Sequence, residues 1–196
     1  MQVVNKVELM QSDENIIRLC IKRDRRAQKI LYERYADIFL GVCNRYAANI
    51  AEAEDILQEG FIKVFFHLQE FSGTGSFFNW MRRIMINTAI TYYHKNLKYR
   101  YYDEIESMYD SPHTDAPDRY DFTREELLIV IQSLPPGYRM IFNLYAIEGY
   151  KHKEIAEMLE IDVNTSKSQY SRAKKMIRRK LDNMSRIAIR NNEKNE

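Results

Sequence analysis

The sequence predicts an all-α protein of two helical domains, an N-terminal helical bundle and a C-terminal four-helix domain with a helix-turn-helix, joined by an acidic linker. Three observations predict it. Apolar residues recur at steps of three and four over most of the chain, the spacing of a buried helical stripe. All four prolines fall between Pro112 and Pro136, so everything before Tyr109 is free to be helical. The composition then changes near Tyr101, where Asp103, Glu104, Glu106, Asp110, Asp115, Asp118 and Asp121 crowd together with Ser111, Pro112 and Pro117. Such a stretch reads as a linker over residues 101–121. It separates a domain at 10–100 from one at 122–184, with a polar tail at 185–196.

The totals set the bounds. With 196 residues, 45% of them hydrophobic and 30% charged, two small cores are affordable and wholesale disorder is excluded. The net charge of +2 does not announce nucleic acid, but bases collect late in the chain and acids earlier. Cys20 and Cys43 lack CxxC spacing and nearby histidines, so core thiols are expected rather than a disulfide or metal site. No apolar run is long enough to cross a bilayer and Met1 is not followed by a signal-peptide pattern, so a cytoplasmic protein is expected.

In the first half, Asp13 is placed to cap a helix carrying Ile16, Ile17, Leu19 and Cys20. A break at Arg23-Asp24 leads to a longer helix with Ala27, Ile30, Leu31, Tyr35, Phe39, Val42 and Tyr46 on one stripe. Asn49 caps the next, whose inward face is Ile50, Ala53, Leu57, Phe61, Val64, Leu68 and Phe71. At about 100° per residue, Glu52, Asp55, Glu59, Ile62 and Phe66 project together from the opposite side. An outward Ile and Phe rimmed by carboxylates predict a protein partner. The competing reading is that another helix of the same domain covers them. Asp55 and Glu59, one turn apart, would need a further ligand to hold magnesium, and the sequence places none nearby.

The segment Phe71-Ser72-Gly73-Thr74-Gly75-Ser76 is a flexible break. The helix after it, FFNWMRRIMINTAITYYHKNLKYRYY, interleaves Phe77, Phe78, Trp80, Tyr92 and Tyr93 with Arg82, Arg83, Lys95, Lys98 and Arg100. Exposed aromatics beside cations suit single-stranded nucleic acid, because bases stack and phosphates need neutralising. Aromatics at helical spacing are more often core, and Trp80 is expected to be at least partly structural.

In the second half, Thr123 caps a helix through Leu127, Leu128, Ile131 and Leu134. Pro135-Pro136 ends it and starts another, with Met140, Ile141, Leu144 and Tyr145, which stops near Gly149. From Tyr150 to Leu181 the chain reads as two helices with a break too short to hold a loop. Ile155, Ala156 and Leu159 share one face of the first, whose entry at Tyr150-Lys151 has no capping residue. Asp162 caps the second, whose inward seam is Ser166, Tyr170, Ala173, Ile177 and Leu181. The opposite side presents Lys167, Ser168, Ser171, Arg172 and Lys175, with Gln169 near the helix start. No acid occurs between Asp162 and Asp182. A basic face is often only solvated. The one-signed run, with small polar residues where base edges are met, favours a helix-turn-helix whose second helix enters the major groove. After Leu181 the chain turns polar and is expected to fray.

Two blocks of this sequence resemble bacterial RNA polymerase sigma factors of the extracytoplasmic-function group in the sigma-70 family. The first is AEDILQEGFIKVFFHLQEF followed by SFFNWMRRIMINTA; the second is LPPGYRMIFNLYAIEGYKHKEIAEML followed by NTSKSQYSRAKK. The resemblance spans about Asp13 to Asp182. It implies that Asp55, Gln58 and Glu59 belong to the polymerase-binding helix, which docks on the clamp of the core enzyme's largest subunit and accounts for Ile62 and Phe66. It implies that the Gly73–Phe78 segment, with Ser76 and Phe77, and the helix through Trp80, Arg82, Arg83 and Asn87 read the downstream promoter element, where a non-template base is flipped out. Lys167, Ser168, Ser171 and Arg172, flanked by Gln169 and Lys175, match the face that enters the upstream element's major groove.

Three departures stand out. Gln169 replaces a frequent Arg, Ser166 replaces a usual Val and is expected to weaken the seam, and Glu160 and Asp162 stand where Gly and Pro are common, so a looser turn is expected. The resemblance also implies a protein that is not an enzyme and uses no cofactor or metal. Its partners would be core RNA polymerase, promoter DNA and a cognate anti-sigma factor, often membrane-tethered, with no small-molecule substrate and no membrane insertion. Two rivals remain: a dimeric helix-turn-helix regulator acting without polymerase, which leaves the Glu52–Phe66 face unexplained, and a nucleic-acid enzyme using Asp55 and Glu59, for which no further catalytic constellation is present.

Overall fold

The computed structural model describes residues 12–100 and 121–192, with the backbone alone at 98–100 and 188–192. Every regular element among the described residues is helical. The chain divides into two compact units, Met1–Tyr92 and Tyr93–Glu196. The expected linker lies outside the described residues, apart from Asp121.

The N-terminal unit contains α1 (Asp13–Ile21), α2 (Arg25–Tyr46), α3 (Ile50–His67) and the first part of α4 (Phe77–Arg100). Local chemistry fixes each start. Ser12, not Asp13, caps α1 by accepting from the Asn15 amide at 3.4 Å. Asp13 is used across the fold instead. It accepts from the Tyr35 hydroxyl at 2.5 Å and pairs with Arg34 at 2.8 Å, pinning α1 to α2. Burial first, then the Asp13 carboxylate, push the Tyr35 phenol up to about 12. Asp24 caps α2 through the amides of Arg26 and Ala27, as expected from the break there. Asn49 caps α3 through the Glu52 amide at 3.0 Å, and Glu52 reaches back to the Ala48 amide at 2.9 Å.

The core lies between α2, α3 and α4. Leu31 and Phe39, Ile56, Leu57, Phe61 and Val64, and Met81 and Met85 are all buried. Phe39 stacks on Phe78 at a centroid separation of 5.1 Å, and Tyr32 covers Phe61 at 4.7 Å. Helices α3 and α4 meet closely at Gly60, where an added Cβ would collide with the Met85 thioether. Ile50 was expected inside and is 52% exposed. It occupies the first helical position, one turn before the buried stripe begins at Ala53. Cys20 and Cys43 are buried free thiols, raised to about 11 and about 12 by burial first, with the Asp24 carboxylate adding at Cys20.

The C-terminal unit contains α5 (Arg124–Gln132), α6 (Pro136–Phe142) running into a π-turn (Asn143–Ile147), α7 (His152–Leu159) and α8 (Val163–Asn192). Thr123 and Glu126 form a reciprocal capping box at α5, with bonds of 3.2 and 2.8 Å. The buried side of α5 is Val130, with Leu134 just beyond; Leu127 is exposed instead. Five consecutive aliphatics, Leu127 to Ile131, give a periodicity argument no face to choose. Pro135-Pro136 breaks and restarts the helix as expected.

The core here is Met140, Ile141, Leu144, Ile155, Leu159 and Ala173. The uncapped entry of α7 is solved from inside the helix, because the Glu154 carboxylate accepts from the Lys151 amide at 2.7 Å. Glu160 takes the left-handed conformation, φ 55°, that Gly adopts freely. Asp162 accepts from the Asn164 amide at 2.7 Å, so α8 starts directly after the three residues 160–162. The turn is tight despite its departures. The expected fraying after Leu181 does not occur: α8 continues to Asn192. It contains no Gly or Pro and many good helix formers, and buried Ser185 returns its hydroxyl to the Leu181 carbonyl at 3.0 Å.

Candidate polymerase and nucleic-acid interfaces

On α3, the buried residues Ala53, Ile56, Leu57, Gly60, Phe61 and Val64 fix which way the helix faces. The side away from them carries Asp55, Gln58, Glu59, Ile62 and Phe66. Asp55 and Gln58 are exposed, and Ile62 and Phe66 are 68% and 79% exposed. Among the described residues no helix of the unit covers Ile62 and Phe66, contrary to the competing reading. Glu59 is half-buried and pairs with Lys63 at 3.0 Å. Lys63 also donates to the Thr88 hydroxyl of α4 at 3.2 Å, and Thr88 is fully buried. Phe66 rests its ring edge-on against His67, which in turn binds Glu70 at 2.8 Å.

On α4, Ser76 accepts from the Asn79 amide at 3.3 Å and so starts the helix. Phe77 is buried, not exposed, which corrects the expectation that this aromatic faces outward. It is held by Tyr35, Phe71 and Trp80, with Trp80 stacked on it at 5.7 Å. Trp80 is half-buried, as a partly structural residue should be. Arg83 and Asn87 are exposed one turn apart. By helical geometry Trp80 lies within about 20° of Asn87 and Arg83 within about 40°, whereas Arg82 stands about 140° away. Arg82 is half-buried. The structure therefore brings Ser76, Trp80, Arg83 and Asn87 to one strip, beneath which Phe77 is a floor, and leaves Arg82 off it.

On α8, Ser166 and Ala173 are fully buried, so Ser168, Ser171, Arg172 and Lys175 point outward together, all exposed. Lys167 and Gln169 lie about 200° apart around the helix and form opposite edges of this face. Ser168 returns its hydroxyl to the Thr165 carbonyl at 3.0 Å. Tyr170 is anchored underneath by Tyr145 at 4.5 Å and covered by the Lys174 ammonium at 4.8 Å. The seam was expected to be weakened at Ser166. Its hydroxyl is instead paired with His152 Nδ1 at 3.0 Å, and that imidazole stacks on Tyr145 at 4.2 Å. Partial burial first, then the Lys167 charge, lower the His152 pKa from its ordinary value.

These faces fall inside two family matches. Residues 31–98 match the model of sigma-70 region 2, and residues 124–177 match that of sigma-70, region 4. Together they take in well over half of the chain, in the order that family uses. The chain belongs to the sigma-70 family. Its curated relatives place it in the extracytoplasmic-function group. The ECF RNA polymerase sigma-E factor of Haemophilus influenzae is 28% identical over 87% of this chain and 95% of that relative. The RNA polymerase sigma-H factor of Pseudomonas aeruginosa is 27% identical over 91% of this chain and 98% of its own length. Among solved structures, CnrH in complex with the cytosolic domain of CnrY is 19% identical and covers 87% of this chain and 97% of that one, with a TM-score of 0.46.

As a sigma factor, the protein binds core RNA polymerase and directs promoter recognition and transcription initiation. Among the described residues no helix is long and apolar enough to cross a membrane, and no group of three His, Cys, Asp or Glu side chains gathers to hold a metal ion. Three features of the sigma factor's faces escape sequence reasoning. Thr88 and Tyr138 come to Lys63 and Arg172 from other helices, with no periodic signal to announce them. The His152–Ser166 pair spans the turn of the helix-turn-helix and is invisible until both helices are docked.

Proposed function

We propose that this sigma factor divides its work among three surfaces. The outer face of α3, through Asp55, Gln58, Glu59, Ile62 and Phe66, docks on core RNA polymerase. The start of α4, through Ser76, Trp80, Arg83 and Asn87 with Phe77 as floor, receives the downstream promoter element and a flipped non-template base. Flipping costs a few kcal/mol of unstacking, which a shaped pocket must return. The outward face of α8, through Lys167, Ser168, Gln169, Ser171, Arg172 and Lys175, lies in the major groove of the upstream element. The domains at 10–100 and 122–184 carry these tasks, with residues 101–121 as tether.

The observation that carries this reading is the exposed Ile62–Phe66 pair on a charged helix face, since a DNA binder working alone has no use for it. The dimeric regulator leaves that pair unexplained. The protein catalyses no reaction; its binding energy is spent on strand separation. It works in the cytoplasm, and a cognate anti-sigma protein holds it inactive, as the family resemblance implies.

Run-off transcription with purified core polymerase over a genomic fragment library tests the proposal and yields the promoter. Specific transcripts that depend on the added chain are expected, and Asp55→Ala with Glu59→Ala should lower polymerase affinity with the fold intact. If the purified chain, free of any inhibitor, never associates with core polymerase, the proposal fails.

A further inference from the structure

Arg172 sits in the middle of the outward α8 face, and its own helix has no acid between Asp162 and Asp182. Among the described residues its guanidinium has one hydrogen-bond partner, the phenolic oxygen of Tyr138 on α6, which accepts from an Arg172 terminal nitrogen at a long 3.4 Å. Helix α6 packs along α8, and the residues either side of Tyr138 in the fold are fixed. Gly137, Arg139, Met140 and Ile141 are all buried, and Arg139 donates to the Gln132 carbonyl at 2.5 Å. Tyr138 itself is half-buried, so its ring is seated while its hydroxyl reaches the edge of the exposed face.

We propose that Tyr138 is a specificity-determining positioning residue: a phenol from outside the helix-turn-helix that aims the Arg172 guanidinium at its base. This rests on the assignment of Arg172 to base reading. An arginine carries many rotamers, and an exposed one loses that freedom when it forms the two parallel hydrogen bonds that read guanine. A neutral acceptor restrains it without neutralising it. A carboxylate at the same place would hold the guanidinium more tightly but compete with the DNA, whereas a phenol leaves its charge and remaining N–H donors free. The Tyr138 oxygen is used as acceptor and keeps its own proton. The contact lies between two helices that meet in the core, so it sets direction in a way that a neighbour on α8 alone does not.

The test is Tyr138→Phe in the full chain, assembled with core polymerase, on the promoter found by run-off transcription and on single base-pair variants across its upstream element. The ratio of affinity for the preferred base pair over its variants is measured for the wild type, Tyr138→Phe, Arg172→Ala and the double variant. Arg172→Ala should collapse the ratio at one position. Tyr138→Phe should reduce the ratio at that same position by about three- to tenfold, leave the other positions alone, and add nothing in the Arg172→Ala background. Thermal unfolding, which a merely structural role would move, should be unchanged. A ratio that Tyr138→Phe leaves intact while Arg172→Ala collapses it overturns the inference alone. No effect of Arg172→Ala at any position overturns the base-reading assignment beneath it. An equal loss on every promoter variant marks Tyr138 as structural and also overturns the inference.

Discussion

Replacing Ile62 and Phe66 together by Ala separates docking from folding. In the free protein these side chains are 68% and 79% exposed, so little of their surface supports the fold. Surface changes of this kind stay within about 0.5 kcal/mol, and Ala is the better helix former. On a partner the same surface is buried. Fully burying an Ile or Phe is worth about 1.5–3 kcal/mol, and two thirds to four fifths of each remains available, or about 1–2 kcal/mol apiece. The double variant should therefore lose about 2–4 kcal/mol of polymerase affinity, roughly 30- to 1000-fold in Kd. Fluorescence titration of labelled chain with core polymerase reads this directly, alongside a thermal melt of the free chain. Salt discriminates further: the apolar loss should persist at high ionic strength, whereas the effect of Asp55→Ala should shrink as charges are screened. Unchanged Kd with an unchanged melt would refute the assignment of this face. A lowered melt would show that the pair serves the fold after all.

Three more expectations concern the scaffold. Gly60→Leu should destabilise the N-terminal unit by about 1–3 kcal/mol, seen as a lower denaturation midpoint, because the new side chain enters space held by Met85 and the overpacking exceeds the propensity gain. Thr123→Ala should cost about 0.5–2 kcal/mol in the C-terminal unit by removing one half of the Thr123–Glu126 capping box, again read in denaturant melts. The His152 pKa is lowered in the fold below its ordinary 6.5, so the unfolded chain binds the proton more readily. That stability is fully present above pH 6.5 and is lost as pH falls through the lowered value. Melts between pH 8 and pH 5 should show the C-terminal unit weakening toward acid, and His152→Gln should flatten that slope.

The α-helices were legible because their signals are local. Asn49, Thr123 and Asp162 each cap the helix assigned to them, accepting from an amide two or three residues ahead, whereas the cap assigned to Asp13 falls one residue earlier, on Ser12. Pro135-Pro136 and the Phe71–Ser76 break were equally direct, since they act through backbone restriction. What failed was the choice among faces where periodicity is degenerate or ends are involved. Leu127 to Ile131 is apolar all round, Ile50 stands at a helix mouth, and Phe77 looks the same to a sequence whether its ring points into Tyr35 and Phe71 or toward solvent. On α3 the outward placement of Asp55, Ile62 and Phe66 was legible, because about 100° per residue sets them on the side away from Ala53 and Val64, whereas Glu52 and Glu59 of the same expected face are half-buried.

Ser166 shows why a departure from a family pattern cannot be priced from the sequence. Taken alone, a hydroxyl in place of two methyl groups forfeits roughly 1–2 kcal/mol of apolar burial and adds the cost of an unpaired buried donor. In the fold that hydroxyl meets His152, 14 residues away across the turn, and the buried polar group is paired. The imidazole is in turn held by Tyr145 and Tyr170, so one polar pair and three rings occupy the joint where α7 hands over to α8. A hydrogen bond is directional where methyl packing is not, and this one fixes the rotation of the first turn of α8. Lys167 and Ser168, on the face proposed to meet DNA, follow directly on that turn. The exchange gives up apolar burial and gains direction at the joint between α7 and α8.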